Sequence, residues 1–475
     1  MSVDGARRDG RDDPARQERL RALNLELVLR RILAAEAPVS RTELAAATGL
    51  TRPTITRIVE ELIVGRLVTE TGTTSDGRAG RPRMGLTVSR SGPAGLGLDI
   101  RTDGLAACVV DLTGSVRHLA FAEYTDTEAT AVLDRLGLMA TEAVAAASAE
   151  GLTVVTATLA VPGPTDGGIV RTAPSLGWHA VDAGALLSER IGHLGLACAV
   201  DNEANLAARG ELRAAGYGGW GNFNGVLGHA GGSAGRAGGG FENSGGALER
   251  SSGAPGRADG VPDQFGSAPE YFSNTPDHFG GTPDHFGSTP EHFVYVSGGL
   301  DIGAGIILDG RPMRGSHGWG GELGHLTVDP DGKPCHCGAR GCLQTYASLA
   351  AILGDETVPA GTMPEMAITG WADAGRPQII AALDTAAHAL GVALANVLNL
   401  LDIDTVLLGG SFALLSSWLI AGVEAEVNQR VLSAAWAPIT VRPATLGPDA
   451  AAIGAAVAVV DRIGADPYSW LATQR

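Results

Sequence analysis

The chain has 475 residues, of which 44% are hydrophobic and 18% charged, and its formal net charge is −17 at pH 7. This length allows two or three domains, and the sequence has no run of eighteen apolar residues of the kind that spans a membrane. The N-terminus is charged rather than apolar, without a visible secretory signal, so we expect a cytoplasmic protein.

Charge is distributed unevenly along the chain. Residues 1–90 hold 16 arginines and 12 carboxylates, whereas the remainder holds 19 of the 35 Lys and Arg and 40 of the 52 Asp and Glu. A basic N-terminal segment on an acidic chain predicts that nucleic acid, if bound, contacts the first segment alone.

The N-terminal 90 residues divide into two parts. Residues 1–20 are polar and charged with no apolar period, which predicts disorder. Residues 21–90 are predicted to form a winged helix-turn-helix domain. Its first helix is indicated by apolar residues at helical spacing, namely Leu25, Val28, Leu29 and Ile32.

Two further helices follow in this domain. Ser40 begins the second helix, with Glu43 three residues later as in a capping box, and Gly49 ends it. The third helix begins near Thr51, with Pro53 in its first turn. The short connection between these two helices is typical of the helix-turn-helix arrangement.

Two short strands, at 66–70 and 84–88, are predicted to form the wing. A plain three-helix bundle is the alternative. However, the outward face of the third helix carries arginine and threonine without carboxylates, which suits phosphates and major-groove base edges. Arginines in the wing loop are placed to enter a minor groove. The predicted DNA-binding residues are therefore Thr51, Arg52, Thr54, Arg57, Arg81 and Arg83.

Residues 94–475 alternate strand-like and helical runs, which predicts an α/β body. Hairpins are predicted over 96–111 and 294–308. The sequence Gly-Leu-Asp-Ile occurs at 97–100 and again at 299–302, and each copy is predicted to begin a hairpin. This repetition suggests an internal duplication.

Residues 224–292 form a low-complexity insertion in this body. Its first half is rich in Gly, Ser and Ala, and its second half repeats Pro, an acidic residue, any residue and Phe every seven residues. Because proline in each repeat excludes a helical heptad, we predict a disordered insertion in a surface loop. Metal binding by His278, His285 and His292 is a less favoured alternative.

A set of metal-binding side chains stands near residue 335. His325, Cys335, Cys337 and Cys342 supply an imidazole and three thiolates, a complete ligand set for tetrahedral zinc. Glycines between the cysteines permit tight turns around an ion. A reduced thiol cluster or disulfides are the alternatives, but three cysteines within eight residues do not suit a disulfide framework in so long a chain. The sequence therefore predicts one structural zinc ion.

The same segment carries a family resemblance. Glu-x-Gly-His at 322–325, followed by Cys-x-Cys-Gly-x-x-Gly-Cys, resembles the signature of the ROK family of sugar kinases and sugar-responsive repressors. The resemblance implies an actin-like (ribonuclease H-like, duplicated) body of the sugar-kinase type, with the winged helix-turn-helix in front of it. It also implies that zinc shapes a loop over a sugar whose hydroxyls contact Glu322 and His325. The family's further sugar-binding Glu corresponds here to Gln344. The winged segment is similar to the N-terminal domain of ROK repressors, which ROK kinases lack.

Three segments depart from the ROK kinase pattern. The phosphate loop Asp-x-Gly-Gly-Thr is Asp-Ile-Arg-Thr-Asp at 99–103, and the second loop, Thr-Gly-x-Gly-Gly-Gly, is Leu-Asp-Ile-Gly-Ala-Gly at 300–305. The catalytic motif Asn-Asp-x-Asn is Asn-Glu-Ala-Asn at 202–205, which places Glu203 at the position of the base. Lost glycines and added carboxylates disfavour a polyanion. We therefore predict no catalytic residue.

Together these features predict a sugar-responsive transcriptional regulator, in the first instance a repressor, that is not an enzyme. We expect a homodimer or higher homo-oligomer on palindromic operator DNA, with a sugar or sugar phosphate effector and no membrane association. The predicted sugar-binding residues are Asn202, Glu203, Glu322, His325 and Gln344. An ATP-dependent sugar kinase with a fused DNA-binding head is the alternative, and a zinc-stabilised scaffold with neither activity is the third reading.

Overall fold

The computed structural model describes residues 14–74, 83–101, 103–123, 126–216 and 291–474. The tip of the wing and nearly all of the predicted insertion at 224–292 lie outside the described residues, so the predictions made for them stay predictions. Helices and strands are numbered below in chain order.

The N-terminal head contains three helices and a two-stranded antiparallel sheet. These elements are α1 (Pro14–Leu33), α2 (Arg41–Thr48), α3 (Arg52–Val64), β1 (Val68–Thr74) and β2 (Arg83–Val88). Disorder over residues 1–20 is wrong for its last seven residues, because the Ala, Arg, Gln and Glu side chains there are good helix formers and extend α1 backwards.

Local caps fix the two helices of the helix-turn-helix. Ser40 and Glu43 form the predicted capping box, each side chain accepting a hydrogen bond from the other residue's backbone N–H. Gly49 ends α2 in the left-handed conformation, with φ 72°, and Thr51 caps α3. Arg66 has φ 58°, in the left-handed region rather than the extended one, and β1 starts at Val68 rather than at the predicted residue 66.

The first lobe of the body is built on a five-stranded sheet with the order β10-β6-β3-β4-β5. Its elements are β3 (Pro93–Ile100), β4 (Leu105–Asp111), β5 (Val116–Ala122), α4 (Ala129–Ala149), β6 (Thr153–Val161), β7 (Thr165–Asp166), β8 (Ile169–Ala173), β9 (Trp178–Asp182), α5 (Ala183–Ile191), β10 (Cys198–Asn202) and α6 (Glu203–Gly216). Strands β7, β8 and β9 form a separate small antiparallel sheet.

The second lobe has a five-stranded sheet with the order β13-β12-β11-β14-β15. Its elements are β11 (Phe293–Gly298), β12 (Gly303–Leu308), β13 (Arg311–Pro312), α7 (Gln344–Ala347), α8 (Leu349–Leu353), α9 (Pro364–Asp373), α10 (Pro377–Leu401), β14 (Thr405–Gly410), α11 (Ser411–Leu414), α12 (Ser416–Arg430) and β15 (Thr440–Pro443). The chain then returns to the first sheet with α13 (Ala450–Ala465) and continues into α14 (Pro467–Thr473), which contacts α1 of the head.

The two sheets have the same connectivity. In each, three consecutive antiparallel strands are extended by two parallel strands that follow later in the chain. The duplicated, actin-like body is therefore confirmed. The repeated Gly-Leu-Asp-Ile does not mark equivalent positions, however: residues 97–100 end β3, whereas residues 299–302 form the turn after β11. The prediction that each copy begins a hairpin is therefore wrong: the first copy ends the first strand of its hairpin, and the second forms the turn.

Helix α10 forms the centre of the second lobe. By length and composition it is the one helix of the described ranges that could cross a membrane. Its apolar side chains are instead packed in the core, where Leu383, Leu390 and Leu394 are at most 1% exposed. Packing against the sheet accounts for its composition.

Helices α6 and α13 cross each other at very short range. A Cβ atom on Gly454 would lie 1.7 Å from the carbonyl oxygen of Leu206, and one on Gly210 would lie 2.9 Å from that of Ala450. Only glycine permits this approach. Helix α13 also packs against β3, so it lies between α6 and the first sheet.

Candidate functional site

The four predicted metal ligands converge in the loop between β13 and α7. Their ligand atoms all lie within 4.8 Å of one another. Sγ of Cys337 is 3.7 Å from Sγ of Cys342, and Nδ1 of His325 is 3.8 Å from Sγ of Cys335. Ligand atoms around a tetrahedral ion with bonds of about 2.3 Å are spaced at about 3.8 Å, whereas a disulfide needs about 2 Å. All five cysteines are free, and this cluster can hold a metal ion.

The backbone around the cluster is folded tightly by glycine. Gly341 has φ 67°, and a Cβ atom there would lie 1.5 Å from the carbonyl oxygen of Asp329. This contact lets the chain return beside itself, and Cys342 is completely buried as a result. His336 is a further imidazole in this region, with Nδ1 3.9 Å from Sγ of Cys335. Sequence reasoning had not considered His336.

Within this loop, Glu322 and His325 lie within electrostatic range of Asp301. Burial and the charge of Asp301 raise the pKa of Glu322. Burial and the neighbouring His336 lower the pKa of His325, which Asp301 opposes. The structure therefore brings the two residues of Glu-x-Gly-His together with Asp301, for which the sequence had indicated only repulsion of phosphate.

Glu203 is the first residue of α6 and lines an open cleft. Its Oε1 accepts a hydrogen bond of 3.1 Å from Oγ of Ser297. Burial raises the pKa of Glu203 to about 7, with a further contribution from Asp301. Asp99 lines the same cleft, and burial together with Glu203 raises its pKa as well. The cleft thus contains closely spaced carboxyl groups.

Two predicted sugar ligands have side chains that are already engaged. Oδ1 of Asn202 accepts from the backbone N–H of Ala204 at 2.9 Å, and its Nδ2 donates to the carbonyl of Gly163. Gln344 is 8% exposed. Its Oε1 accepts from Ile302 N, and its Nε2 donates to Leu300 O and to Oδ1 of Asp301. Sugar binding by Asn202 and Gln344 stays a prediction.

Arg101 occupies the segment that corresponds to the kinase phosphate loop. Its Nε and Nη2 donate to the two carboxylate oxygens of Asp103 at 2.8 and 2.7 Å, and its Nη1 donates to Oδ1 of Asp449 at 3.0 Å. The guanidinium also lies 5.2 Å from the ring centre of Phe121. Asp449 could not have been found from the sequence, because no local motif surrounds it.

The predicted DNA-binding residues of α3 lie on its exposed side. Thr51, Arg52 and Arg57 are exposed and Thr54 is half-buried, with Oγ1 of Thr54 2.8 Å from Oγ1 of Thr51. Glu60, one turn beyond Arg57, is also exposed. The carboxylate-free surface is therefore confined to the first two turns, and the expectation of a whole face without carboxylates is corrected.

Only one of the two predicted wing arginines lies among the residues that the structure describes. Arg83 is the first residue of β2, whereas Arg81 lies outside the described residues. Contact of either side chain with DNA stays a prediction.

Fold and sites together define a class: a winged-helix head joined to a duplicated, sugar-kinase-type body with a Cys₃His cluster. Residues 285–462 match the model of the ROK family, and residues 27–79 match that of the MarR family, the head being a MarR-type winged helix.

Known relatives share this organisation over almost their whole length. The chain is 25% identical to the xylose repressor of Bacillus subtilis (strain 168) over 458 residues, covering 94% of this chain and 98% of the relative. It is 24% identical to the xylose repressor of Bacillus spizizenii, with the same coverage. A crystallised ROK family transcriptional regulator, a homologue of the E. coli MLC protein, superposes with a TM-score of 0.65 at 24% identity over 96% of this chain. This last likeness shows the shared fold.

Proposed function

We propose that this protein is a sugar-responsive transcriptional repressor. The observation that carries the proposal is the direct attachment of the recognition helix to the body: indole Nε1 of Trp470, in α14, donates a 2.8 Å hydrogen bond to the carbonyl of Gly65, the residue that ends α3. A DNA-reading element held in this way responds to the conformation of the body. The similarity to xylose repressors over 94% of the chain supports an aldose such as D-xylose as the effector. We place the protein in the cytoplasm, where operator DNA and reduced thiols occur together.

On DNA, α3 is proposed to enter the major groove. Arg52, Thr54 and Arg57 stand on its first turns, where recognition helices contact base edges and phosphates. Arg81 and Arg83 of the wing are proposed to contact the adjacent minor groove. Since one such helix reads only a half-site, we propose that two copies of the chain bind a palindromic operator as a homodimer.

The metal is proposed to be zinc, which prefers this combination of thiolates and imidazole in tetrahedral geometry. Its role is structural: it holds the loop that carries Glu322 next to the cleft. With Nδ1 of His325 facing Cys335, metal binding at Nδ1 leaves Nε2–H as a donor for a sugar hydroxyl. His325 can thereby contact both the metal and the sugar, which are the two roles predicted for it from the sequence.

The side chains at the phosphate-loop position support a sensor over a kinase. The Arg101 guanidinium fills the former phosphate loop and is neutralised by Asp103 and Asp449. A triphosphate would have to break this network and then lie beside Asp99 and Asp301. We therefore propose that the cleft binds a sugar without nucleotide chemistry, and that Glu203 acts as a hydrogen-bond acceptor rather than as a base.

A continuous helical path joins the cleft to the head. Glu203 begins α6, which crosses α13 at Gly210 and Gly454. Helix α13 begins beside Asp449 and continues into α14, whose Trp470 is bonded to Gly65. We propose that sugar binding moves α6 and α13 together and thereby changes the position of α3. In this proposal the protein has two conformations, one that binds DNA more tightly and one that binds the sugar more tightly.

The test is binding of the purified full chain to DNA from upstream of its own and neighbouring genes. Fluorescence anisotropy at fixed salt is measured with and without D-xylose and other monosaccharides. Sequence-selective binding that one sugar weakens is the expected result. Binding that disappears with modest salt and ignores every sugar would overturn the proposal.

A further inference from the structure

The cleft beside the metal loop contains more hydrogen-bond acceptors than donors. We infer that its effector is an uncharged or cationic polyhydroxy compound, not a sugar phosphate or sugar acid, and that Asp301 is the residue that imposes this selection. The inference rests on the proposed function and specifies the ligand class of its sugar site.

One carboxylate oxygen of Asp301 is fixed by a hydrogen bond, and the other is buried without one. Its Oδ1 accepts a 3.1 Å hydrogen bond from Nε2 of Gln344, whose amide is itself fixed by Ile302 N and Leu300 O. Its Oδ2 is buried and, within the described part of the chain, has no hydrogen-bond partner. A buried carboxylate oxygen without a partner is unfavourable, so a ligand hydroxyl donated to Oδ2 would stabilise the site.

Asp99 provides a second, independent observation of the same kind. It is 1% exposed, it lines the cleft together with Asp301, and its Oδ1 is also unpartnered among the described residues. The two acceptors come from different lobes, Asp99 from the end of β3 and Asp301 from the turn after β11. A ligand that donates hydroxyls to both would draw the lobes together.

The other ionisable groups that line the cleft are mostly carboxyl groups. Glu203 and Glu365 add two further carboxyl groups to its wall. The guanidinium of Arg101, the basic group in the lining, is engaged by Asp103 and Asp449.

A cleft wall of this kind favours neutral and cationic ligands over anionic ones. Each sugar hydroxyl can donate one hydrogen bond, and an ammonium adds attraction to the carboxylates. A phosphate or carboxylate on the ligand meets like charge in a partly desolvated site and is repelled.

The experiment compares probes that differ in charge. Isothermal titration calorimetry of the full chain is performed with D-xylose, α-D-xylose 1-phosphate, D-glucose, D-glucosamine and D-glucuronate. We expect at least one neutral sugar to bind and its anionic counterpart to bind at least a hundredfold more weakly. Asp301→Asn keeps the shape of the side chain and removes its charge. The variant should bind the neutral sugar at least tenfold more weakly, and the difference in affinity between the neutral and the anionic sugar should become smaller. Asp355→Asn, at an exposed position, is the matched control.

Failure of this inference and failure of the proposed function would give different experimental results. An anionic sugar that binds as tightly as its neutral counterpart overturns the inference, and this wild-type comparison does not depend on any variant folding. The inference is also overturned if Asp301→Asn leaves the sugar affinities unchanged, or if the wild-type chain binds none of the probes. The proposed function fails differently: a sugar binds in the calorimeter but leaves operator affinity unchanged by anisotropy.

Discussion

Trp470 and Gly65 lie 405 positions apart in the sequence, yet the indole N–H of Trp470 donates to the carbonyl that ends the recognition helix. The next residue, Leu471, packs so closely that a Cβ atom on Gly65 would lie 2.0 Å from its Cδ2. Arg66, in turn, donates from Nη2 to the carbonyl of Gly151 in the first lobe. The end of α3 is thus attached to the body at two successive residues.

Trp470→Phe should reduce the effect of sugar binding on operator affinity. The substitution keeps an aromatic ring in a position that is 8% exposed and removes one hydrogen bond, a loss of about 1 kcal/mol. Because Trp470 does not line the cleft, sugar affinity measured by calorimetry should be unchanged, while the sugar-induced change in operator affinity falls severalfold. Trp436→Phe, at a residue 72% exposed, is the control. A full sugar response in Trp470→Phe would exclude this path.

Arg57→Ala should weaken operator binding. If Arg57 contacts a base edge, the loss is about 1–3 kcal/mol and selectivity relaxes at one position; if it contacts a phosphate, the salt dependence falls by about one unit of slope. Anisotropy titrations at several salt concentrations distinguish the two results. Arg135→Ala removes an exposed arginine of α4 in the body and should have no effect. Equal losses in both variants would indicate a general charge effect instead.

The sequence predicted features whose causes are local. The capping box at Ser40 and Glu43 and the metal cluster depend on residues close together in the chain, so their spacing carries the information. Features that depend on distant contacts could not be predicted. The bond of Arg101 to Asp449 spans 348 positions, and the engagement of Gln344 with the turn at 300–302 depends on how two loops meet.

Removal of the metal should loosen the loop beside the cleft. Cys342→Ser replaces a fully buried thiol ligand, and chelation removes the ion itself. Both should lower the melting temperature and weaken sugar binding, because Glu322 then loses its fixed position. Elemental analysis should give one zinc ion per wild-type chain and less in the variant.

Two controls accompany the metal experiment. Cys198→Ala changes a cysteine outside the cluster and should keep the ion. A chelator should not further destabilise Cys342→Ser. A wild-type protein that contains no stoichiometric metal and is indifferent to chelation would contradict the proposed zinc site.

Glu203→Gln should make stability less dependent on pH. Burial raises the pKa of Glu203 to about 7, with Asp301 adding to the shift and Arg101 opposing it. Since an unfolded glutamate ionises near 4.5, the native state holds this proton more tightly, and wild-type stability falls as pH rises from about 4.5 through 7. Glutamine resembles the protonated form and can still accept from Ser297. The variant should therefore be close to the wild type near pH 4.5 and exceed its free energy of unfolding by about 3 kcal/mol at pH 8.

Urea unfolding of both proteins between pH 4.5 and pH 8 measures this difference, with Glu189→Gln on the exposed side of α5 as the control. A difference that stays constant over this range would mean that Glu203 is not the group that titrates. A difference that grows toward acid would mean that the carboxylate is stabilised in the folded protein. The expected sign follows because burial disfavours the ionised form of Glu203 and the charge of Asp301 adds to this effect, so that the neutral form is favoured until the solution is near neutral pH.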